Sequence, residues 1–399
     1  MKKNNLLLGS IATLLSLNVY AGGYQLQEYS ITNLGRAFAG AGVVGDDYSA
    51  IAFNPASINL KDTGFQIGAS EVVINVESKG RIIPSTTDTA KEDAKIRQYL
   101  TVPHFFAQKK LNDDFHVAFG FYVPYGLGYK YNSDWYGRTH ALETKIETFD
   151  LALAGSYKIT DKLSFGLSAI AERYDARLTN FVKSINSESV IEGNDWTNLW
   201  NTGLTYMFND KSTFGIAYRS KAIFDLKGKH RFEGMALKGK VSAKIVLPEH
   251  ILASYSQNIG KFTLSTSARW TRWSRFKTLA INSTIANVTP VNENWGNTWT
   301  ISGGIDYKIN QNWIIRTGLA YDEAGVKDSQ HRTARIPDGN RWMASAGFTY
   351  LKNNYQLDFG YTHMFLDTTR ANHNDGKSQL DAKYDMSLVL FGAQFQYHF

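Results

Sequence analysis

The sequence predicts an all-β protein, a 14-stranded antiparallel transmembrane β-barrel with an N-terminal hatch, or plug, inside the lumen. Three observations predict this fold: a secretory leader, a two-strand repeat, and a glycine-rich segment between them. The 399-residue chain is 14% aromatic and holds 33 glycines, only 7 prolines and no cysteine. This composition favours long strands, and without cysteine a disulfide framework or a thiolate metal site is impossible.

Residues 1–21 have the pattern of a secretory signal peptide. Lys2-Lys3 gives a basic start, an apolar stretch runs from Leu6 to Leu17, and Val19-Tyr20-Ala21 offers a cleavage site. The stretch is shorter than the roughly 20 residues that a membrane-anchoring helix needs. We expect the mature chain to start at Gly22. Because no later apolar run approaches that length, any membrane span must be a β-barrel.

The two-strand repeat is marked by short polar turns that recur at intervals of 42 to 52 residues. Each interval holds two apolar-alternating runs and one longer polar loop, and aromatic residues flank the turns as an interfacial girdle requires. Counting from about residue 63 gives seven hairpins, with six short turns toward the periplasm and seven longer loops outside. The turns begin at Asn112, Thr160, Asn209, Asn258, Asn310 and Lys352.

Within the repeat, apolar and polar residues alternate with a period of two. In the last strand, one set of residues is predicted to face lipid and the other to face the lumen. The first set is Val389, Phe391, Ala393, Phe395, Tyr397 and Phe399, and the second is Gln394, Gln396 and His398. The terminal aromatic residue resembles the assembly signal of outer-membrane barrels, which makes the barrel assembly machinery an expected partner.

Residues 22–62 do not follow the repeat. They are rich in glycine, lack regular alternation and contain the tripeptide Asn54-Pro55-Ala56. A compact segment ahead of a barrel is predicted to fill the lumen as a hatch, and a periplasmic tail is the alternative. The predicted organisation is therefore a signal peptide at 1–21, a hatch at 22–62 and a barrel at 63–399.

The third strand, from Phe115 to about Tyr131, is predicted to break at Val123-Pro124-Tyr125-Gly126. Proline lacks the N–H that a central strand donates, and glycine tolerates unusual dihedral angles. This break predicts an opening in the wall, and a simple bulge without a passage is the alternative.

The alternation places several charged residues in the lumen. Asp306 and Arg316 lie equally far from one turn and should sit opposite each other, and most of these charges are expected to be structural. Arg219 and Arg269 lie deeper and are candidates to meet a carboxylate. Arg173 and Arg177 fall on the outward side near the outer rim, where we expect contact with lipid phosphates of lipopolysaccharide. The lumen set is Arg219, Arg269, Arg316, Asp150, Asp306 and Asp358.

Several motifs resemble the FadL/TodX family of outer-membrane transporters for hydrophobic compounds. The hatch motifs are Gly22-Gly23-Tyr24-Gln25-Leu26, Leu34-Gly35-Arg36-Ala37, Asp46-Asp47 and Asn54-Pro55-Ala56, and the C-terminal motifs include Arg316-Thr317-Gly318 and Ile336-Pro337-Asp338. The likeness covers nearly the whole mature chain and is weakest in the outer loops.

The resemblance implies passive uptake of long-chain fatty acids or aromatic hydrocarbons across the outer membrane of a Gram-negative bacterium. It implies a ligand pocket at the hatch N-terminus, with Gly22, Tyr24 and Leu26. It also implies a sideways exit where the third strand kinks against Asn54-Pro55-Ala56. Long-chain fatty acids are the expected substrate, and two departures from the family pattern leave an uncharged hydrophobic substrate open: the loop at about 182–196 is short, and Val291 stands where fatty-acid members are expected to carry a cation.

Other function classes find little support. No His-x-x-x-His, Gly-x-Ser-x-Gly or phosphate-loop spacing occurs, so we expect neither an enzyme nor a bound metal or cofactor. Nucleic acid is not an expected partner, and a monomer is expected. A general diffusion porin and a surface adhesin stay as alternatives. The sequence does not name the substrate.

Overall fold

The computed structural model describes residues 23–83 and 93–399. The predicted signal peptide and the predicted pocket residue Gly22 lie outside these described residues. Fourteen antiparallel wall strands, which we number β1 to β14, form one closed sheet, because β1 pairs with both β2 and β14. The fold class predicted from the sequence is confirmed.

The wall strands follow the predicted order of hairpins. Four of them consist of two segments: β3, β7, β8 and β13. The bounds are Gly64–Ile83 (β1), Ala94–Lys110 (β2), Phe115–Tyr122 with Gly126–Lys130 (β3), Glu143–Lys158 (β4), Leu163–Val182 (β5), Ser187–Asn209 (β6), Ser212–Arg219 with Ala222–Phe232 (β7), Lys238–Leu247 with His250–Ile259 (β8), Phe262–Thr271 (β9), Thr298–Lys308 (β10), Trp313–Asp322 (β11), Arg341–Lys352 (β12), Tyr355–Leu366 with Thr369–Asn374 (β13) and Gln379–His398 (β14).

Side chains alternate across the wall as predicted. In β14, Gln394 and Gln396 are buried in the lumen, whereas Phe391 is exposed on the outer surface. Exposed aromatic residues also stand beside the short turns at one end of the barrel. These are Phe115, Tyr157, Phe165, Tyr206, Phe214, Phe262, Trp313 and Tyr355. Apolar outside and polar inside is the pattern of a wall that faces hydrocarbon.

The outer loops differ in length more than the sequence suggests. The loop expected at about 182–196 is mostly strand, because β5 and β6 stay paired up to Val182 and Ser187 and leave only a short 3-10 turn, Lys183–Ile185. The long loop 272–297 instead carries its own structure, a 3-10 turn Trp273–Arg275 and three short strands, Thr278–Leu279, Ile281–Ser283 and Val291–Asn292.

Residues 23–62, which we call the hatch, lie inside the barrel. The hatch contains two single-turn helices, α1 (Ile31–Leu34) and α2 (Ala50–Phe53), and a 3-10 helix, Pro55–Leu60. Most of its residues up to Ile58 are buried. No helix in the described parts of the chain is long and apolar enough to cross a membrane. The predicted location of this segment in the lumen, in preference to a periplasmic tail, fits the structure.

Wall glycines make room for the hatch backbone. A Cβ atom built on Gly318 would lie 2.2 Å from the carbonyl oxygen of Arg36, and one on Gly166 would lie 2.2 Å from the amide nitrogen of Ala56. Contacts this short do not occur between real atoms. The hatch therefore sits directly on the backbone of the wall, on a floor that only glycine allows.

Charged side chains fix the middle of the hatch to the same wall. Arg36 in the hatch contacts Asp46 at 2.7 Å and Asp306 of β10 at 2.9 Å. Arg316 of β11 lies 3.6 Å from Asp306 and 3.7 Å from Asp358 of β13. Asp306 and Arg316 are cross-strand partners, as predicted. Because these groups are buried together, each charge depends on the others for compensation.

Gly318→Val tests the glycine floor. We expect it to lift the hatch from the wall and to lower the free energy of unfolding by about 1–3 kcal/mol, the usual cost of overpacking. Thermal unfolding in detergent and protease cleavage within residues 23–62 measure both effects. Gly303→Val is the matched control, because Gly303 faces outward in β10 and a Cβ there meets no atom within 4 Å. Equal behaviour of the two variants would contradict this account of the floor.

Candidate functional site

The third wall strand is interrupted at Val123–Tyr125. Its first segment pairs with β2 through Phe105–Lys110 and with β4. Its second segment pairs with β4 alone in the described chain. The Gln98 side-chain amide, oriented to satisfy both of its polar atoms, bridges to Gly128 and Lys130. Between Gln98 and Phe105 the edge of β2 therefore lacks a neighbouring strand, which leaves a window in the wall.

The hatch N-terminus takes the place of the missing strand pairing. The Leu26 N–H donates to the Pro124 carbonyl at 2.8 Å, and the Gly126 N–H donates to the Tyr24 carbonyl at 2.9 Å. Between these bonds Gln25 stands opposite Tyr125 as an isolated antiparallel bridge. The structure thus brings together two predicted sets of site residues, the pocket residues Tyr24 and Leu26 and the strand break at 123–126.

Tyr24 is the centre of an aromatic cluster. Its ring centroid lies 5.2 Å from that of Trp273, 5.9 Å from Tyr125, 6.0 Å from Trp295 and 6.2 Å from Phe276. Three of these partners belong to the inward-folded loop 272–297. These three residues could not be predicted from the sequence, because loop residues have no periodicity that indicates which way they point. The one sequence feature that could have indicated an aromatic cluster is the presence of two tryptophans, Trp273 and Trp295, in one long loop.

A hydrogen bond to a buried carboxyl group holds the same end of the hatch. The Gly23 N–H donates to Asp338 at 3.0 Å, and Asp338 also contacts Arg341 at 2.8 Å. Burial raises the pKa of Asp338, although the Arg341 guanidinium opposes this shift. Asp338 lies in the loop before β12, so an outer loop and the strand break hold the hatch N-terminus together.

Two spaces lead from outside toward the aromatic cluster. The outer one, about 240 Å³, has a lining of both apolar and polar residues, and the polar residues include His140, His230, His373, Asp375 and Lys377. The inner one, about 60 Å³, is narrow and mostly apolar, and its lining includes Ile146, Tyr174, Ala176, Leu226, Ile245 and Phe276. Glu293 and Arg335 line both spaces. A molecule that passes from the outer to the inner space therefore meets fewer polar groups.

Glu293 connects the spaces to the aromatic cluster. Its carboxylate accepts a hydrogen bond from the Trp295 indole N–H at 3.1 Å. Burial raises the pKa of Glu293 to about 7, against the opposing effects of that hydrogen bond and of Arg335. The charge of this carboxyl therefore changes near neutral pH.

The three predicted lumen cations have different partners. Arg219 contacts Asp150 at 2.7 Å and Glu172 at 3.0 Å, and Arg316 belongs to the network described above. Arg269 is equally buried, yet it has no carboxylate within 4 Å among the described residues, and its Nε has no hydrogen-bond partner. Arg269 is therefore the cation whose charge is available to a ligand.

The Asn54-Pro55-Ala56 tripeptide packs elsewhere on the wall. The Asn54 amide donates to the Leu204 carbonyl at 3.2 Å and to Thr205 at 3.1 Å, and the Ala56 carbonyl accepts from Ser156 at 2.9 Å. These partners belong to β4 and β6, whereas the strand break bonds to the hatch N-terminus. None of these hydrogen bonds joins the tripeptide to the kink of the third strand, which is the contact expected from the sequence. The tripeptide instead lies over Gly166 and Gly203, which leave space for it on β5 and β6.

Comparison with known proteins gives a consistent result. Residues 12–399 match the family model described as outer membrane protein transport protein (OMPP1/FadL/TodX). A long-chain fatty acid transport protein of Salmonella typhi is 28% identical over 428 residues, which cover 97% of this chain and 96% of that protein.

Solved structures share the fold. A Pseudomonas aeruginosa FadL homologue superimposes with a TM-score of 0.85 at 24% identity, covering 94% of this chain and 99% of the other. The Pseudomonas putida toluene transporter TodX superimposes with a TM-score of 0.70 at 14% identity, covering 95% and 100%.

The raised pKa of Glu293 predicts a change in tryptophan fluorescence near pH 7. Because the indole of Trp295 donates to this carboxyl, its emission should change as the carboxyl ionises between about pH 6 and 8. Fluorescence titration of the purified barrel and of Glu293→Gln measures the effect. The histidines of the outer space are present in both proteins, so the difference reports Glu293. Identical titration curves would show that the carboxyl does not ionise in this range.

Proposed function

The chain belongs to the OMPP1/FadL/TodX family of outer membrane transport proteins, and we propose that it carries long-chain fatty acids passively into the cell. The family lies in the outer membrane and transports fatty acids or hydrophobic aromatic compounds. A family of transporters agrees with the expectation from the sequence that the protein is not an enzyme. The observation that carries the fatty-acid proposal is Arg269, a buried guanidinium that has no carboxylate within 4 Å among the residues described by the structure.

Binding of the head group follows from electrostatics. A buried cation without a counter-ion is costly, and a ligand carboxylate would compensate it with charge-assisted hydrogen bonds. Arg219 already has two carboxylates and would gain little from a third. The outer space, with its mixed lining, and the more apolar inner space supply a route on which the alkyl chain leaves water as the head group moves toward Arg269.

Release follows from the strand break. When the hatch N-terminus leaves Pro124 and Gly126, the window beside β2 connects the lumen with hydrocarbon. A lipid-like substrate that leaves sideways gains about 0.8 kcal/mol for each buried methylene, a gain that a water-filled exit does not offer. In this proposal Tyr24 and Leu26 form the gate with Val123–Gly126, and Asn54–Ala56 anchors the other end of the hatch.

Aromatic hydrocarbons are the second candidate substrate, favoured by the five-ring cluster around Tyr24. General diffusion of polar solutes is disfavoured, because the hatch fills the lumen, and adhesion has no specific observation in its favour. Assembly by the barrel assembly machinery and a monomeric state stay predictions. So does contact with lipopolysaccharide, since Arg173 already pairs with Asp175 and Arg177 with Glu143.

Arg269→Gln tests the carboxylate site. We expect oleate to bind about tenfold or more weakly, because one charge-assisted contact is lost, while toluene binding stays unchanged. Fluorescence titration with each ligand measures the affinities. Arg219→Gln is the contrasting variant: it leaves Asp150 and Glu172 uncompensated and should cost about 3–5 kcal/mol of stability. If Arg269→Gln binds oleate as well as the parent protein, the head group lies elsewhere.

A reversible lock tests the gate. The chain has no cysteine, so a Gln25→Cys/Tyr125→Cys pair would be its only thiols. The two positions face each other between flanking hydrogen bonds, where Cα atoms lie about 4.5 Å apart, close enough for a disulfide. We expect oleate uptake by cells to stop on oxidation and to resume on reduction.

The two single-cysteine variants control for loss of Gln25 or Tyr125 themselves. If the double variant takes up oleate equally fast with the disulfide formed and with the disulfide reduced, the hatch N-terminus need not leave the break. Entry of small polar solutes in place of oleate would favour the porin alternative.

A further inference from the structure

An acidic residue stands on the lipid-facing surface of the wall. Along β1 the outward positions read Phe65, Ile67, Ala69, Glu71 and Val73, so Glu71 has apolar neighbours on both sides. Its cross-strand neighbours are Thr101 on β2 and Phe391 on β14. An ionisable group at this depth is costly and is a candidate functional group by default.

Glu71 opens into a lipid-facing groove of about 820 Å³. Small outward side chains form its floor, and large aromatic side chains stand along it. The floor is Ala69, Ala346 and Ala393, and the aromatic residues are Phe348, Phe359, Tyr361 and Phe391. A groove of this form fits a flexible alkyl chain that lies against the wall.

The groove begins beside the window. Thr101 belongs to the stretch of β2, between Gln98 and Phe105, that pairs with β1 but has no strand partner on the side of β3 in the described chain. The Thr101 hydroxyl donates to one Glu71 carboxylate oxygen at 2.7 Å. The other carboxyl oxygen of Glu71 has no hydrogen-bond partner among the described residues. Glu71 therefore offers an open acceptor oxygen on the lipid-facing surface, one strand away from the proposed exit.

We infer that Glu71 receives the head group of a protonated fatty acid as it leaves the window, while its alkyl chain lies along the groove. This inference rests on the proposed function and adds a specificity-determining residue to its exit side. A fatty acid in hydrocarbon is neutral, because a free carboxylate there is costly, and its O–H can donate to the open oxygen of Glu71. A plain hydrocarbon has no donor to offer.

The test compares Glu71→Gln with the parent protein in cells that lack their own transporter. Uptake of labelled palmitate should fall about tenfold, the contribution of about one hydrogen bond, because glutamine puts an NH2 donor in place of the open acceptor oxygen, whereas uptake of toluene should not change. A palmitate with a photoreactive chain should crosslink to β1 and β14 beside Ala69 and Ala393 in the parent protein and much less in Glu71→Gln. Thr101→Val, which removes the hydroxyl that orients the carboxylate, should shift both readouts in the same direction.

Glu77→Gln is the matched control, an outward residue farther along β1 that pairs with Lys79 and Lys95 at the rim. Surface amount and heat-resistant mobility on gels verify folding of each variant. If the parent takes up palmitate and Glu71→Gln takes it up equally well, the inference fails and the proposed function stands. If the parent takes up no palmitate, the fatty-acid proposal fails first.

Discussion

The backbone of a membrane barrel must satisfy its hydrogen bonds within the protein, and the rest of this structure depends on how that rule is met at the third strand. Pro124 cannot donate, and the ladder from β3 to β2 ends at Phe121. The freed carbonyl and N–H groups are satisfied by the hatch, through Leu26 and Tyr24. A wall held closed by a segment that is not part of the wall can open without breaking a strand.

The two ends of the hatch are held by interactions of different kinds. From Arg36 to Ala56 the hatch rests on glycines and on buried ion pairs with Asp306, and moving it would expose charges that have no other compensation. The N-terminal end is held by two backbone hydrogen bonds, a hydrogen bond to Asp338 and the aromatic cluster. Contacts of the second kind can be replaced by a hydrophobic ligand, so a motion confined to the N-terminal end needs the least free energy.

Compensation of charge distinguishes structural from ligand-binding arginines in this lumen. Arg219, Arg316 and Arg36 each contact at least two carboxylates. Arg269 is similarly buried, but within the described ranges 23–83 and 93–399 no carboxylate lies within 4 Å of it. A similar criterion singles out Glu71 on the outer surface, where, among the described residues, the Thr101 hydroxyl is the one hydrogen-bond partner of the carboxyl group. The proposed route therefore has an unsatisfied polar group at each point where the head group of a substrate would stop.

The sequence by itself determined the wall: the number of strands, the side of each residue and the position of the break at Val123–Gly126. It could do so because a strand pairs with its sequence neighbour and alternates with a fixed period, so local pattern sets register. It also placed the hatch in the lumen. Only the tertiary structure decided which hatch residues meet the break and which aromatic residues of loop 272–297 surround Tyr24. It also decided that Arg269, alone of the three predicted lumen cations, has no carboxylate beside it in the part of the chain that the structure describes. These facts depend on contacts between residues far apart in the chain and without periodicity, and no local pattern encodes such contacts.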